Sequence, residues 1–276
     1  MTTSSSPHHV AVGDTRLAVH TAGSGLPLLL LHAFPLDHAM WAAQEPLAEH
    51  GRLVVPDQRG FGASAGPGPA SIEQLADDAA AVLAALHCGP AVVCGLSMGG
   101  YVAQHLTVRH PDRVAALVLA DTRLEADTPE ARVARVDLAA KVGRLGQRIV
   151  ADAMVPRLLG SSPEARGAAG RAALEADLHA AILRQPVATI QAALAALGAR
   201  PDMTAAMHQV RVPTLLIVGA EDAITPPACL EAALGVMPHA RLLVVPQAGH
   251  MTPLETPDVF NRAVTEFLAE ERVGRA

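Results

Sequence analysis

The chain has 276 residues, of which 50% are hydrophobic and 17% are charged, and its formal net charge is −6. This composition excludes a disordered or collagen-like protein, and a chain of this length buries enough surface to fold without metals or disulfides. The basic residues are scattered, and the aromatic residues are one Trp, one Tyr and four Phe, so nucleic acid is not an expected partner.

The three cysteines, Cys88, Cys94 and Cys229, have no metal-binding or disulfide spacing and predict free thiols in a reducing compartment. The polar N-terminus, residues 1–9, has neither the basic nor the apolar region of a signal peptide. The longest apolar runs, residues 28–31 and 79–86, are far shorter than the roughly 18 residues that a membrane helix needs. We therefore expect a cytoplasmic protein that does not enter a membrane.

Strands and helices alternate along most of the sequence. Two short segments beside Gly13 and Asp14 predict an antiparallel hairpin, and six later apolar runs, separated by helical patterns, are typical of buried parallel strands. The predicted hairpin strands are 9–12 and 16–20, the buried strands are 28–31, 53–55, 91–94, 115–119, 215–218 and 242–245, and the helices are 38–50, 71–87, 98–109, 226–237 and 256–271. This alternation indicates an α/β protein with a doubly wound sheet.

The alternation stops near Asp121 and resumes near Val212. The residues between them are rich in Ala and Arg, with helical spacing and no convincing strand. We predict a helical cap, residues 123–208, inserted into a core formed by residues 1–122 and 209–276. Within the cap, segment 160–170 combines Gly, Ser and Pro and is its predicted flexible part.

Residues 95–99, Gly-Leu-Ser-Met-Gly, form a G-x-S-x-G pattern between the strand 91–94 and the helix that follows it. Glycines on both sides let the strand turn sharply into the helix, which exposes the Ser97 hydroxyl at the carboxyl edge of the sheet. This context predicts a nucleophilic serine. A small serine in a tight turn, or a phosphate-binding turn at the helix N-terminus, is the alternative.

A serine nucleophile requires a histidine base and an acid that orients this base. Among thirteen histidines, His250 follows the last predicted strand and fits the chain order serine, acid, histidine. Asp222 directly follows the strand 215–218 and is the expected acid. Asp121, after the strand 115–119, is the main alternative, and Glu221 is a lesser one.

Acyl transfer also requires two backbone N–H groups directed at the oxygen that becomes negative. Met98 follows the serine at a helix N-terminus, where its N–H has no partner within the helix. Phe34, in the loop after the strand 28–31, is the expected second donor. Phe34 and Trp41 are candidate substrate-binding side chains, and core packing is the alternative for Trp41.

Five segments, HAFP, PDQRGFGAS, GLSMGG, GAEDAITP and AGHMTPLETP, occur in this order. Together they resemble the α/β-hydrolase superfamily over nearly the whole chain, and within it most resemble the 3-oxoadipate enol-lactonase-like and small carboxylesterase group. The resemblance implies an eight-stranded, mostly parallel sheet flanked by helices, with a helical cap inserted after the sixth strand. It also implies Ser97 as nucleophile, Asp222 as acid, His250 as base, and the N–H groups of Phe34 and Met98 as the oxyanion hole, with no metal and no cofactor.

Ala33 departs from this family pattern. Many relatives have Gly where this chain has Ala33, and the added methyl group is expected to narrow the oxyanion hole or change its backbone angle and so weaken activity.

These observations predict a serine hydrolase that cleaves a small carboxylic ester or lactone through an acyl-enzyme. Alternatives with the same catalytic groups are a cofactor-free perhydrolase, in which hydrogen peroxide replaces water, and a carbon–carbon bond hydrolase. A non-catalytic receptor for a small ligand is an alternative from a different class. The expected partner is the small-molecule substrate, and self-association as a homodimer is left open.

Overall fold

The computed structural model describes residues 7–64, 66–161, 167–271 and 273. The strands of this part of the chain are β1 (His8–Val12), β2 (Thr15–Ala22), β3 (Pro27–Leu31), β4 (Arg52–Pro56), β5 (Ala91–Leu96), β6 (Val114–Ala120), β7 (Thr214–Gly219) and β8 (Arg241–Val245). They form one sheet in the order β1-β2-β4-β3-β5-β6-β7-β8. The pairs β1–β2 and β2–β4 are antiparallel and the other pairs are parallel, which confirms the predicted eight-stranded, mostly parallel sheet.

The central strands of the sheet are almost completely buried. Every residue of β3, β5 and β7 is buried, and in β6 only Ala115 is partly exposed. Helices cover both faces of a parallel sheet, so its central strands have no side that faces water. For this reason the sequence shows these strands as continuous apolar runs and not as alternating patterns.

The predicted hairpin at the edge of the sheet forms β1 and β2, with Val12 paired to Thr15. Gly13, in the turn between them, has a φ of +56°, which residues with a Cβ rarely adopt. Because β2 then pairs with β4, the hairpin adds two strands to the sheet beside β4, and β1 is the outermost strand on that side.

The described helices are α1 (Ile72–Ala85), α2 (Met98–Arg109), α3 (Pro129–Leu145), α4 (Arg148–Leu158), α5 (Gly167–Arg184), α6 (Val187–Ala199), α7 (Thr204–Met207), α8 (Pro227–Val236), α9 (Thr252–Glu255) and α10 (Pro257–Glu270). The predicted helix 38–50 is present as a 3₁₀ helix, His38–Glu49. Pro46 lies inside it and lacks the backbone N–H that other residues of the helix have.

Between β6 and β7 the described residues contain α3 to α7 and no strand. The helix α3 packs against α6, and α4 packs against α5. Residues 162–166, within the segment predicted to be flexible, lie outside the described residues. The boundaries of the cap at residues 123 and 208 stay a prediction.

No single helix in the described ranges is long and apolar enough to cross a membrane. Only the pair formed by α5 from Gly170 and α6 reaches the required length and composition, and these two helices are bent by 98° relative to each other.

Candidate active site

Ser97 occupies the turn between β5 and α2 at the carboxyl edge of the sheet. Its φ of +54° is one that residues other than glycine rarely adopt. The N–H of Ser97 donates a hydrogen bond to the carbonyl oxygen of Ala120 (3.0 Å), and the hydroxyl of Thr122 donates one to the carbonyl oxygen of Ser97 (3.0 Å). The end of the neighbouring strand β6 therefore holds this strained turn in place.

Two glycines beside Ser97 allow a close approach of the backbone. A Cβ on Gly95 would lie 2.1 Å from the carbonyl oxygen of Gly99, and a Cβ on Gly99 would lie 2.0 Å from the carbonyl oxygen of Leu31. Non-bonded contacts of a Cβ atom below 3.0 Å are essentially never seen. The two glycines of the G-x-S-x-G pattern are therefore required by the packing of α2 against the sheet.

The variant Gly99→Ala is expected to lower the apparent Tm by roughly 6–12 °C, because its methyl group must displace the Leu31 carbonyl, at a cost on the order of 3 kcal/mol. Gly89→Ala is the matched control, because Gly89 is exposed and a Cβ there meets nothing within 4 Å. Its Tm is expected to change by less than about 2 °C. Thermal unfolding followed by circular dichroism measures both, and equal Tm values would contradict the tight contact.

His250 lies in the loop after β8, and its side chain is buried. Its Nδ1 is 2.8 Å from Oδ2 of Asp222, which follows β7. The backbone N–H of His250 donates to the carbonyl oxygen of Leu158, the last residue of α4, at 2.9 Å. The pairing of Gly219 with Val245 aligns the carboxyl ends of β7 and β8, so the loops that follow these strands meet at one edge of the sheet.

The carboxylate of Asp222 accepts four hydrogen bonds. Its Oδ1 accepts the N–H groups of Ile224 (2.8 Å) and Thr225 (2.9 Å), and its Oδ2 accepts the Thr225 hydroxyl (2.6 Å) and the His250 ring (2.8 Å). Burial raises the pKa of Asp222, but the hydrogen bonds and charge of His250 and the bonds of Thr225 outweigh burial and place this pKa below its ordinary value. An ionised Asp222 accepts the Nδ1 proton of His250, which leaves Nε2 available as a base.

Asp121, the main alternative acid, contacts other groups. Its Oδ1 accepts the N–H of Gly219 (2.9 Å), and its Oδ2 accepts the hydroxyl of Thr252 (2.5 Å). Burial and the nearby negative charge of Asp222 raise the pKa of Asp121 well above its ordinary value. Asp121 thus connects the loops behind the site.

Glu221, the other alternative acid, accepts the N–H (2.6 Å) and the hydroxyl (2.8 Å) of Ser161. Of the three acids considered from the sequence, Asp222 is the one whose carboxylate lies against the ring of His250.

A buried acid that the sequence analysis missed, Glu255, joins the loop of His250 to the cap. Its Oε1 accepts the N–H groups of Gly249 (2.8 Å) and Met251 (3.2 Å), the two neighbours of His250, and its Oε2 accepts the N–H of Gly160 (2.7 Å). Burial raises the pKa of Glu255 against the lowering effect of these N–H groups. These three donors are backbone groups, which leave no residue pattern, so the sequence signal is the place of Glu255 in the segment AGHMTPLETP.

Phe34 and Met98, the two predicted oxyanion donors, line the same cavity as Ser97. Met98 is the first residue of α2, where N–H groups have no partner within the helix. Phe34 lies in the loop after β3, which the buried His32 anchors, because Nε2 of His32 accepts the N–H of Gln58 at 2.9 Å. Burial lowers the pKa of His32 and so favours the neutral ring that can accept this bond.

Ala33 is buried within this loop. Its N–H donates to Sδ of Met40 (3.2 Å), and its carbonyl oxygen accepts the N–H of Leu36 (2.9 Å). The expected effect of its methyl group on the oxyanion hole stays a prediction.

Trp41 is not among the described residues that line the cavity of Ser97. Its side chain is buried in the 3₁₀ helix, and its ring centroid is 6.0 Å from that of Phe260 in α10. The structure therefore places Trp41 in the core, which was the alternative to substrate binding. The sequence alone does not show which side of this short helix faces the core.

The cavity of Ser97 has a volume of about 350 Å³. Its polar floor, with Ser97, His250 and Thr225, comes from loops at the carboxyl edge of the sheet. Its apolar wall includes residues of the cap helices α3, α4 and α6, namely Leu138, Met154, Leu194 and Leu197. A few polar groups within a mainly apolar concave surface are typical of a small-molecule site.

One cluster elsewhere, His20, His38 and Asp57, has side-chain donor atoms within 4.8 Å of one another. Asp57 already accepts the Nδ1–H of His38 (2.7 Å) and the N–H of Ala63 (2.8 Å). The two imidazole rings are stacked with their centroids 3.5 Å apart, so their in-plane lone pairs do not converge on one ion. We therefore interpret this cluster as a hydrogen-bonded support and assign no metal to it.

The chain order seen here, with a serine after the fifth strand and an acid and a histidine after the last two, is that of the α/β hydrolases. The sequence profile of the family described as the alpha/beta hydrolase fold matches residues 27–257. The chain therefore belongs to this family.

Several named relatives are similar to the chain over most of its length. A 3-oxoadipate enol-lactonase of Acinetobacter baylyi is 30% identical over 86% of this chain and 86% of its own. A pimeloyl-[acyl-carrier protein] methyl ester esterase of Nitrosomonas europaea is 32% identical over 88% of this chain and 95% of its own. The solved structure of a thermophilic esterase from Thermogutta terrifontis, with malate bound, is 38% identical, covers 97% of this chain and 99% of its own, and has a TM-score of 0.91. The names of these relatives agree with the enzyme class predicted from the sequence, a carboxylic ester hydrolase.

Proposed function

We propose that this protein is a serine hydrolase that cleaves a small carboxylic ester or lactone through an acyl-enzyme. The observation that carries the proposal is the buried His250, which lines the same cavity as Ser97 and whose Nδ1 lies 2.8 Å from Oδ2 of Asp222. A histidine held by a carboxylate, in the same cavity as a serine on a strained turn, is the arrangement expected to activate a hydroxyl group as a nucleophile.

In the first half of the proposed reaction, Oγ of Ser97 attacks the ester carbonyl while Nε2 of His250 takes the hydroxyl proton. The carbonyl oxygen becomes negative, and the N–H groups of Phe34 and Met98 stabilise it. The ester C–O bond then breaks, His250 gives its proton to the leaving alkoxide, and the acyl group stays on Ser97. Asp222 stays ionised throughout and stabilises the imidazolium.

In the second half, a water molecule replaces the alcohol. His250 takes a proton from the water, the hydroxide attacks the acyl carbonyl, and the carboxylic acid leaves as Ser97 recovers its proton. With a lactone, the alcohol and the acid remain in one product molecule. The proposed steps use groups of the chain and water, and they require no cofactor.

Initial rates on p-nitrophenyl acetate, butyrate and octanoate, with dihydrocoumarin as a lactone, test this proposal. We expect turnover of at least one of these compounds, and inactivation by diethyl p-nitrophenyl phosphate with one diethylphosphoryl group on the peptide that contains Ser97. Mass spectrometry of the digested protein measures the adduct. Folded protein that cleaves none of the four and remains unlabelled would contradict the proposal.

A bromination assay of monochlorodimedone, with acetate, hydrogen peroxide and bromide, tests the perhydrolase alternative. Bromination of monochlorodimedone that depends on Ser97 would show that peroxide, and not only water, attacks the acyl-enzyme.

A further inference from the structure

Arginines are concentrated at the cavity of Ser97, although the chain as a whole has a formal net charge of −6. Arg123, Arg135 and Arg157 line the cavity, and Asp127 is the one acid among the described residues of its lining. The excess of positive charge at this place is therefore local and not a property of the whole surface.

Asp127 cannot neutralise all three arginines, because two cations already bind it. It forms an ion pair with Arg135, and Nη1 of Arg200 lies 2.7 Å from its Oδ1. The guanidinium of Arg200 also lies over the ring of Tyr101, 4.1 Å from the ring centroid. Burial raises the pKa of Asp127, but Arg135 and Arg200 outweigh burial and keep it below its ordinary value. Its single negative charge is thus already matched.

Arg123 has no acidic partner among the residues that the structure describes. Its Nη2 donates to the carbonyl oxygen of Ile224 at 2.6 Å. Its Nε is buried and has no hydrogen-bond partner. A buried donor of a charged group that has no acceptor costs free energy, so the guanidinium of Arg123 is not fully satisfied by the described residues.

Arg157 lies near the end of α4, and its side chain is exposed at the cavity wall. Within the described ranges it forms no ion pair. It directly precedes Leu158, whose carbonyl oxygen accepts the backbone N–H of His250. This connection fixes the backbone of Arg157 close to the loop that carries the proposed base.

We propose that the substrate is an ester or lactone that carries a second, anionic group, a carboxylate, and that Arg123 and Arg157 bind this group. The inference rests on the proposed function and adds the substrate class to it. A guanidinium binds a carboxylate through two parallel N–H···O bonds, and these are stronger in a cavity than in water. A neutral ester of the same size offers neither the charge nor this geometry.

Two methyl esters that differ only in charge test the inference. Monomethyl glutarate has a free carboxylate, and methyl 4-carbamoylbutanoate has a neutral amide in its place. We expect kcat/KM of the wild type for the carboxylate ester to exceed that for the amide by about 10- to 100-fold, the range that charge-assisted hydrogen bonds provide. Enzymatic detection of the released methanol measures both rates.

Replacing the two arginines should remove this preference. In the double variant Arg123→Gln with Arg157→Gln, kcat/KM for monomethyl glutarate is expected to fall about tenfold or more relative to the amide, mainly through KM. Arg144→Gln is the matched control, because Arg144 is exposed at the end of α3 and is not in the cavity lining of the described residues. The control should keep the wild-type preference.

Binding of both esters to Ser97→Ala, measured by isothermal titration calorimetry, separates the anion site from the reaction. Serine-dependent hydrolysis of both esters at equal kcat/KM, with equal binding, would overturn the inference and leave the proposed function intact. Selective binding of monomethyl glutarate that is lost with the two arginines, without hydrolysis by the wild type, would support the anion site and contradict the proposed function.

Discussion

Ser97→Ala is expected to lower kcat for p-nitrophenyl butyrate by about 10⁴-fold or more, because it removes the atom that attacks the carbonyl. The variant should remain folded. The hydrogen bonds that hold the turn, from the N–H to Ala120 and from Thr122 to the carbonyl oxygen, use backbone atoms that alanine keeps. Initial rates, together with the Tm of each protein, measure the effect.

Ser64→Ala is the control for this experiment. The Ser64 hydroxyl is buried, accepts the N–H of Ala18 (2.9 Å) and donates to the carbonyl oxygen of Asp57 (2.5 Å). Its removal leaves a buried N–H and a buried carbonyl without this partner, so we expect a stability loss of about 1–3 kcal/mol with little change in kcat. Wild-type turnover by purified Ser97→Ala would refute the assignment of the nucleophile.

The parts of this fold that could be predicted from the sequence are those with a local physical cause. The strands β3, β5, β6 and β7 are buried on both faces, so each one appears as an apolar run that ends at a turn signal. The turn at Ser97 needs glycines on both sides, and these glycines appear in the sequence as a motif. Chain order indicated His250 and limited the acid to Asp222, Asp121 and Glu221, since each follows a strand of the same parallel sheet, and the contact of Asp222 with the ring of His250 separates these three in the structure.

The parts that could not be predicted depend on contacts between distant segments. Glu255 accepts the N–H of Gly160, which is 95 residues away in the sequence, and a backbone donor leaves no residue pattern that would predict this contact. Arg123 and Arg157 come together at one cavity only after the cap has packed on the core. The Ala-rich cap helices carry little contrast between their faces, so the sequence does not indicate which side chains point to the site.

The 3₁₀ helix His38–Glu49 shows a second limit. Its apolar residues repeat closely enough to predict a helix, but this spacing does not distinguish a 3₁₀ helix from an α-helix. As a result, the orientation of Trp41 could not be derived, and its indole lies against Phe260 in place of the cavity.

Asp222→Asn is expected to lower kcat by about 10⁴-fold with little change in KM, because it reverses the hydrogen bond to His250. An ionised Asp222 accepts the Nδ1 proton of the ring at 2.8 Å. The amide of Asn donates to Nδ1 instead, so the proton moves to Nε2, and this nitrogen can no longer take the proton of Ser97. Kinetics on p-nitrophenyl butyrate, with circular dichroism as the check on folding, measure the loss.

Asp121→Asn is the control that shows whether the loss in kcat is specific to the acid that contacts His250. Asp121 is as deeply buried as Asp222, but its carboxylate binds Gly219 and Thr252 and not the histidine. We therefore expect its kcat to stay within about tenfold of the wild type, which corresponds to about 1.4 kcal/mol of transition-state stabilisation. A larger loss at Asp121 than at Asp222 would assign the orienting acid to the strand β6. The histidine would then have to move toward Asp121 when substrate binds, because the contact at 2.8 Å joins it to Asp222.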